Sequence, residues 1–177
     1  MNLFMLHENS LIAGRMNCDK HVVKMPVECV QMLVSSLLRH GADPNEAPMT
    51  QRGTRHKGGY HNHPMTRWVG DSICNFVWCY SHAQSLCVEY EKRYGKQHFA
   101  KKQLDEISAW VSWADYLPHD ELTQPPQCMP DEYKVEGDFV EAYRRYYLYE
   151  KGRFARWNKG TKAPSWWEPT LDEEEEE

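Results

Sequence analysis

The stretch CDKHVVKMPVECVQ, residues 18–31, combines core-forming valines with two lysines, a histidine, an aspartate and a glutamate. Apolar residues recur at helical spacings of three and four, namely Val23, Val27, Val30, Val34 and Leu37, which predicts a helix with this buried stripe. Placed at helical intervals, the polar side chains share one arc of about 100°. This polar face consists of Asn17, Lys20, His21, Lys24, Glu28, Gln31 and Ser35.

Two interpretations of the polar face remain open. The simpler one is the solvated side of an amphipathic helix. The alternative is the floor of a functional site. Pro26 favours the second, because a proline inside a helix removes a backbone hydrogen bond and bends the helix.

The rest of the chain predicts three more helices and no strand-like alternation, and hence an all-α fold with about four main helices. The first helix spans about residues 10–40, the second and central one 65–94, the third 102–115 and the fourth 138–157. Two long Pro/Gly-rich loops, residues 41–64 and 117–137, connect them. We expect one helical domain over residues 1–171, followed by an acidic disordered tail over residues 172–177.

The composition, with 41% hydrophobic residues, is that of a globular protein without a membrane span or a signal peptide, and a cytoplasmic location is expected. The net charge of −5 is dominated by the last six residues, all acidic, without which the chain has 21 basic and 20 acidic residues. The six cysteines form no CxxC pair and are interpreted as buried, reduced side chains. The sequence predicts no cofactor.

Two regions are rich in basic side chains. The first long loop carries Arg52, Arg55, His56, Lys57, His61 and His63. Residues 141–163 alternate seven basic side chains with six aromatic ones; the basic residues are Arg144, Arg145, Lys151, Arg153, Arg156, Lys159 and Lys162. This combination suits phosphates and stacked or flipped bases, although the aromatics can equally be core residues beneath solvated arginines.

The histidines of the first long loop support a further hypothesis. His61 and His63 form an HxH pair that could bind a metal together with Glu28 or Asp19. A metal-dependent hydrolase of nucleotides or nucleic acid is therefore one candidate function.

The segment NCDKHVVKMPVECVQ, residues 17–31, resembles the first helix of the small phage-type pyrimidine-dimer DNA glycosylases with AP-lyase activity, the endonuclease V family. Asp19, His21 and Glu28 match that family's aspartate, histidine and catalytic glutamate in spacing. LCVEYEKRYGK, residues 86–96, resembles its central helix, and APSWWEP, residues 163–169, its aromatic C-terminal segment. The chain also resembles, over most of its length, phage proteins with CDKHVVKM and NHP motifs.

The resemblance implies an enzyme that attacks C1′ of a damaged nucleotide with its N-terminal amine and cleaves the strand through an imine. Glu28 would be the catalytic carboxylate, His21 would help to position the DNA, and the amine would belong to Met1 or Asn2, with Lys24 as a second possible nucleophile. DNA is the implied partner, in the host cytoplasm if the protein is phage-encoded. The predicted DNA contacts are Lys20, Gln31, Arg52, Arg55, His61, His63, Arg67, Arg144, Arg145, Arg153 and Arg156. A non-catalytic nucleic-acid-binding or host-interaction protein remains an alternative.

Overall fold

The computed structural model describes residues 2–168, which form seven α-helices, two short 3₁₀ turns and an isolated bridge between Met49 and Arg55. The helices are α1 (Ser10–Met16), α2 (Asp19–Arg39), α3 (Pro64–Asp71), α4 (Ile73–Tyr94), α5 (Phe99–Trp110), α6 (Trp113–Tyr116) and α7 (Phe139–Lys151). The all-α fold class is confirmed. Met1 and the acidic tail lie outside the described residues. Across residues 2–168, no helix combines the length and the apolar character needed to cross a bilayer.

The first predicted helix is two helices, because the chain changes direction at Asn17 and Cys18. Both residues have extended backbone, with ψ of 141° at Asn17 and 167° at Cys18. The Asn17 side-chain amide donates to the Ala13 carbonyl at 2.8 Å, and the Cys18 N–H donates to the Tyr147 hydroxyl at 2.9 Å. These bonds satisfy backbone groups that a continuous helix would otherwise pair.

Ser72 divides the second predicted helix in the same way. Its backbone is extended, and its hydroxyl accepts a hydrogen bond from the Asn75 N–H at 3.0 Å, which caps α4. The third predicted helix is likewise split into α5 and α6, and the fourth ends at Lys151 instead of continuing to residue 157. The helix count therefore differs from the prediction of about four.

The core lies where α2 and α4 pack against each other and against α1, α3 and α5. Of the predicted valine stripe on α2, Val30, Val34 and Leu37 are buried, as are Val22, Met25, Cys29 and Leu33. Val23 and Val27 are 40% and 48% exposed, so their assignment to the core was wrong. In the first half of α2 the buried side chains are instead Val22, Met25 and Cys29, whereas the second half follows the predicted stripe.

The six cysteines are all free, as expected, but they are not all buried. Cys18, Cys29, Cys79 and Cys87 are buried, whereas Cys128 is half-buried and Cys74 is exposed.

A buried arginine joins the start of α2 to the end of α4. Arg93 donates from Nε to Glu89 at 2.9 Å and from Nη1 to Asp19 at 3.3 Å. Its guanidinium also donates to the carbonyls of Asn17 and Arg15 at 2.7 and 3.0 Å. The contact with Glu89 lies within α4, and the three with Asp19, Asn17 and Arg15 hold the α1–α2 junction against α4. The orientation of the first turns of α2 is therefore fixed from within the core.

The two ends of the described chain pack over the same part of the molecule. Residues 2–6 are buried. After α7, the Arg156 carbonyl accepts from the Asp19 N–H at 2.9 Å, and the Asn158 N–H donates to the Asp19 carboxylate at 2.8 Å. The start of α2 is thereby enclosed by both chain ends.

Candidate active site

A cleft of about 990 Å³ opens over the first half of α2. Its walls are the N-terminal segment, the start of α3, the connection around residues 126–129, and α7 with the turn that follows it. The lining residues are Asn2, Phe4, Lys20, His21, Lys24, Glu28, His63, Pro64, Pro126, Gln127, Cys128, Met129, Lys134, Tyr146, Lys151 and Phe154. Four residues of the predicted polar face therefore line this cleft, namely Lys20, His21, Lys24 and Glu28, whereas Asn17 and Ser35 are buried.

Helix α2 supplies the floor because Lys20, Lys24 and Glu28 are spaced four residues apart. At this spacing side chains lie above one another on one face of a helix. Both lysines are exposed and Glu28 is half-buried, so two ammonium groups and one carboxylate line the cleft together.

The start of the chain is anchored inside this cleft. Asn2 is buried, and its side-chain amide donates to the Cys128 carbonyl at 3.0 Å. Its Oδ1 accepts from the N–H groups of Leu3 and Phe4 at 2.8 and 3.3 Å. Residue 2 is thereby held in the same cleft as Glu28, whereas Met1, the other predicted source of the amine, lies outside the described residues.

His21 is buried between aromatic rings at the back of the cleft. It stacks on Phe4 with a ring separation of 4.5 Å and meets the Phe154 ring edge to face at 5.5 Å. Burial, helped by the charges of Lys151 and Lys24, lowers the pKa of His21 to about 3. The imidazole is therefore neutral at physiological pH and cannot pair with a phosphate as a cation.

Tyr147 holds the His21 ring from the protein side. Its hydroxyl lies 2.7 Å from His21 Nδ1 and accepts from the Cys18 N–H at 2.9 Å. Burial raises the pKa of Tyr147 well above its usual value, so the phenol keeps its proton. Both contacts are satisfied when the phenol donates to Nδ1 and the imidazole hydrogen lies on Nε2.

Four lysines line the cleft: Lys20, Lys24, Lys134 and Lys151. Lys134 forms an exposed ion pair with Asp131 at 2.8 Å. Lys151 Nζ lies 4.8 Å from the Tyr146 ring centre and 5.7 Å from that of Phe4. Lys20 Nζ lies 5.2 Å from the Phe154 ring centre. Such cation–π contacts place ammonium groups over apolar walls, an arrangement that suits a ligand with both phosphates and rings.

Of the predicted DNA contacts, only Lys20 and His63 line this cleft. Gln31 and Arg52 line a second cavity of about 640 Å³, together with Val27 and His56. Arg67 and His61 are exposed on either side of the start of α3. Arg55 is also exposed and donates to the Ala47 carbonyl at 2.8 Å.

The arginines of α7 and of the turn after it have other neighbours. Arg144 donates to the Leu6 carbonyl at 2.9 Å, and its guanidinium lies 5.2 Å from the Trp166 ring centre. Arg145 pairs with Glu141 at 3.0 Å. Arg156 donates to the carbonyls of Gly152 and Ala155, and Arg153 is exposed. None of these four lines the cleft formed by the described residues.

The described residues do not bring together the ligands that the metal hypothesis requires. Across residues 2–168, no three His, Cys, Asp or Glu side chains meet in a way that could hold an ion. Asp19 is taken up by the ion pair with Arg93, and His63 caps α3 by accepting from the Met65 N–H at 3.1 Å. Burial lowers the pKa of His63.

Sequence reasoning did not assign several cleft residues to the site. Phe4, Cys128 and Lys134 come from segments that carry no motif. Tyr146, Lys151 and Phe154 belong to the basic and aromatic region 141–163, but the arginines there were selected in their place. The feature of the sequence that could have identified these three residues is the position of Lys151 between Tyr146 and Phe154.

Comparison with known proteins assigns the chain to a family. The family model described as pyrimidine dimer DNA glycosylase matches residues 1–102, more than half of the chain, and includes all of α1 to α4. No curated protein and no solved structure matches the chain.

Proposed function

The chain belongs to the pyrimidine dimer DNA glycosylase family, and we propose that it excises pyrimidine dimers from DNA and then cleaves the strand as an AP lyase. The observation that carries this proposal is the meeting of Asn2 and Glu28 in one cleft with four lysines. A nucleophile, a carboxylate and phosphate ligands are the groups that this reaction needs.

The nucleophile is the N-terminal α-amine, of Asn2 if Met1 is removed and of Met1 if it is retained. An α-amine has an ordinary pKa of about 7.7 to 8.0, against about 10.4 for lysine, so a much larger fraction is neutral and nucleophilic near pH 7. The buried, hydrogen-bonded Asn2 keeps the chain end close to the cleft floor. Lys24, one helical turn from Glu28, is the second candidate nucleophile.

In the first step the amine nitrogen forms a bond to C1′ while the glycosidic C1′–N1 bond breaks and its electron pair leaves with the base. The Glu28 carboxylate stabilises the positive charge that develops on the sugar and accepts the proton lost by the amine. Glu28 then returns this proton to O4′ as the C1′–O4′ bond breaks, which opens the sugar ring, gives the protonated imine and restores the Glu28 carboxylate. The negative charge of Glu28 thus stabilises the cation that forms on the sugar.

In the second step a base removes a C2′ proton, the C3′–O bond breaks, and the 3′ phosphate leaves with the bonding electrons. Glu28 takes this role because it lies in the same cleft as the nucleophile. Hydrolysis of the imine releases the amine. The lysines bind the phosphates on either side, and neutral His21, stacked on Phe4, forms an uncharged wall beside the sugar.

The cleft has the size that a nucleotide needs. Enzymes that act on a base in a duplex take the nucleotide out of the stack into a pocket. A volume of about 990 Å³ lies at the upper end of the range of small-molecule sites, so the cleft accommodates a nucleotide with its flanking phosphates.

The test replaces Glu28 by Gln and measures incision of a duplex that carries one pyrimidine dimer. We expect the single-turnover rate to fall by about 100-fold or more, since general acid–base groups contribute roughly 10² to 10⁴, while DNA affinity changes only a few-fold. Glu91→Gln, at an exposed position of α4 outside the cleft, is the matched control. Unchanged incision by Glu28→Gln would contradict the assignment, and DNA binding without incision by the unmodified protein would support the non-catalytic alternative.

A further inference from the structure

Two non-glycine residues among the described ones have left-handed backbone conformations, Phe4 with φ of 43° and Tyr60 with φ of 51°. Bulky side chains rarely adopt this conformation, which costs free energy and persists where the surrounding structure enforces it. Phe4 stacks on His21 in the cleft, so its contacts account for the strain. Tyr60 is 67% exposed, so this strained residue carries an aromatic ring that lies largely in solvent.

The loop that carries Tyr60 is fixed to α2. The Ser35 hydroxyl donates to the Gly59 carbonyl at 3.1 Å and accepts from the Gly59 N–H at 2.9 Å. Gly58 has φ of 71°, and a Cβ there would lie 2.2 Å from Ser35 Oγ. The loop backbone therefore lies directly on α2, at a distance that only glycine allows.

The turn formed by Tyr60 to His63 lies between the two cavities. The His63 N–H donates to the Tyr60 carbonyl at 3.0 Å, which closes the turn, and His63 lines the cleft that contains Glu28. On the other side, Gly59 lies against Gln31, which lines the second cavity. Glu28 and Gln31 are one helical turn apart. Tyr60 itself lines neither cavity, and its turn borders the proposed active site through His63.

We propose that Tyr60 inserts into the DNA duplex beside the nucleotide that enters the cleft and stacks in the place which that nucleotide vacates. This inference rests on the proposed function and names the residue that opens the duplex for it. An aromatic ring can replace the stacking that a flipped nucleotide loses, and inserted side chains are a known way to kink and unstack base steps. A strained, anchored turn with an exposed ring has the rigidity that such a wedge needs.

The test uses substrates that differ in the need for a wedge. Single-turnover strand cleavage is measured on a duplex with one pyrimidine dimer and on a single strand with one abasic site, which has no partner strand to open. We expect Tyr60→Ala to cleave the duplex about 10- to 100-fold more slowly, the rate equivalent of one lost base–ring stack. On the abasic single strand it should stay within about two-fold of the unmodified protein, because the chemistry is intact.

Three further variants sharpen the comparison. Tyr60→Phe keeps the ring and should retain duplex cleavage. Tyr60→Gly removes the ring and also relieves the left-handed strain, so its Tm should equal or exceed that of the unmodified protein while duplex cleavage falls as in Tyr60→Ala. Tyr116→Ala changes an exposed tyrosine on α6 that lines neither cavity and should match the unmodified protein on both substrates.

Normal duplex cleavage by Tyr60→Ala and Tyr60→Gly would overturn the wedge, as would an equal loss on both substrates or a Tyr60→Phe variant as slow as Tyr60→Ala. These outcomes leave the proposed function standing. Failure of the proposed function would give a different result, because the unmodified protein itself would then cleave neither substrate.

Discussion

His21 is buried, and its burial bears on the role that its position in the sequence suggests. Its spacing to Glu28 indicated a residue that helps to bind or position DNA. In the structure it is enclosed by Phe4, Phe154 and Tyr147, and its pKa of about 3 keeps it uncharged. We infer that His21 shapes the cleft and leaves phosphate binding to the lysines.

Buried neutral histidines make the stability of the protein depend on pH. Burial lowers the pKa of His21 to about 3 and that of His82 to about 4. In the unfolded chain both return to about 6.5, so below this pH the unfolded state binds more protons than the folded state. The free energy of unfolding should therefore fall as the pH is lowered from 6.5 to about 4.5, by roughly 2 to 3 kcal/mol for each histidine.

Urea unfolding at several pH values between 7.5 and 4.5 measures this slope. His82→Gln, which keeps a side-chain N–H for the Ser10 carbonyl, should make the slope shallower. His61→Gln changes an exposed histidine and serves as the control. A flat pH profile above pH 4.5 would mean that both histidines keep their ordinary pKa in the folded protein.

Most of the predicted residues that line the cleft share helix α2, whereas Asn2 and His63 come from other segments. Lys20, Lys24 and Glu28 follow from a four-residue spacing, which the helix converts directly into a common face. Phe4 and Lys151 reach the same cleft from opposite ends of the chain. Their proximity depends on tertiary packing, which the periodicity of a local sequence does not reveal.

Among the helices, α2 is positioned by a core ion pair that the sequence did not reveal. Asp19 was recognised as a motif residue, yet its carboxylate binds Arg93 and the Asn158 N–H. Arg93 lies 74 residues from Asp19, so no spacing rule links the two. The cluster holds the first turns of α2, and with them the cleft floor.

Removal of this arginine should be strongly destabilising. Arg93→Met leaves Asp19 and Glu89 buried without their cation, and breaking a buried ion pair in this way costs about 3 to 5 kcal/mol. Arg145→Met, which removes the exposed pair with Glu141, is the matched control and should cost no more than about 1 kcal/mol. Urea unfolding at pH 7 measures both variants, and similar values for the two would contradict a structural role for Arg93.

Helix type was predictable from sequence, whereas helix boundaries were not. The apolar pattern continues across Asn17 and Ser72, so periodicity alone joins α1 to α2 and α3 to α4. The breaks depend on single capping bonds, such as that between Ser72 and Asn75. The same limit explains Val23 and Val27, because adjacent stripes on a valine-rich helix have nearly equal apolar character, and packing against α4 selects one of them.

For the molecule as a whole, the distribution of charge matters more than its sum. The chain carries a net charge of −5, but the cleft is lined by Lys20, Lys24, Lys134 and Lys151. DNA affinity should fall steeply with salt, because each neutralised phosphate contributes about −0.9 to the slope of log K against log salt concentration.

A single lysine tests where this charge acts. Lys20→Gln should weaken binding similarly for all sequences and reduce the magnitude of the salt slope by about 0.9. Lys101→Gln, at a surface ion pair with Asp105 outside both cavities, should leave the slope unchanged. A fluorescence anisotropy titration over a series of salt concentrations measures both slopes. Equal slopes for Lys20→Gln and the unmodified protein would place the bound DNA away from the cleft.

Imine formation at the N-terminus is the central claim, and borohydride trapping tests it most directly. The purified protein is mixed with a duplex that contains one abasic site, reduced with borohydride in the presence of EDTA, and the adduct is mapped by mass spectrometry. We expect a covalent adduct at the first residue of the mature chain, Met1 or Asn2. An adduct at Lys24 would move the nucleophile to α2, and binding without any adduct would contradict the lyase mechanism.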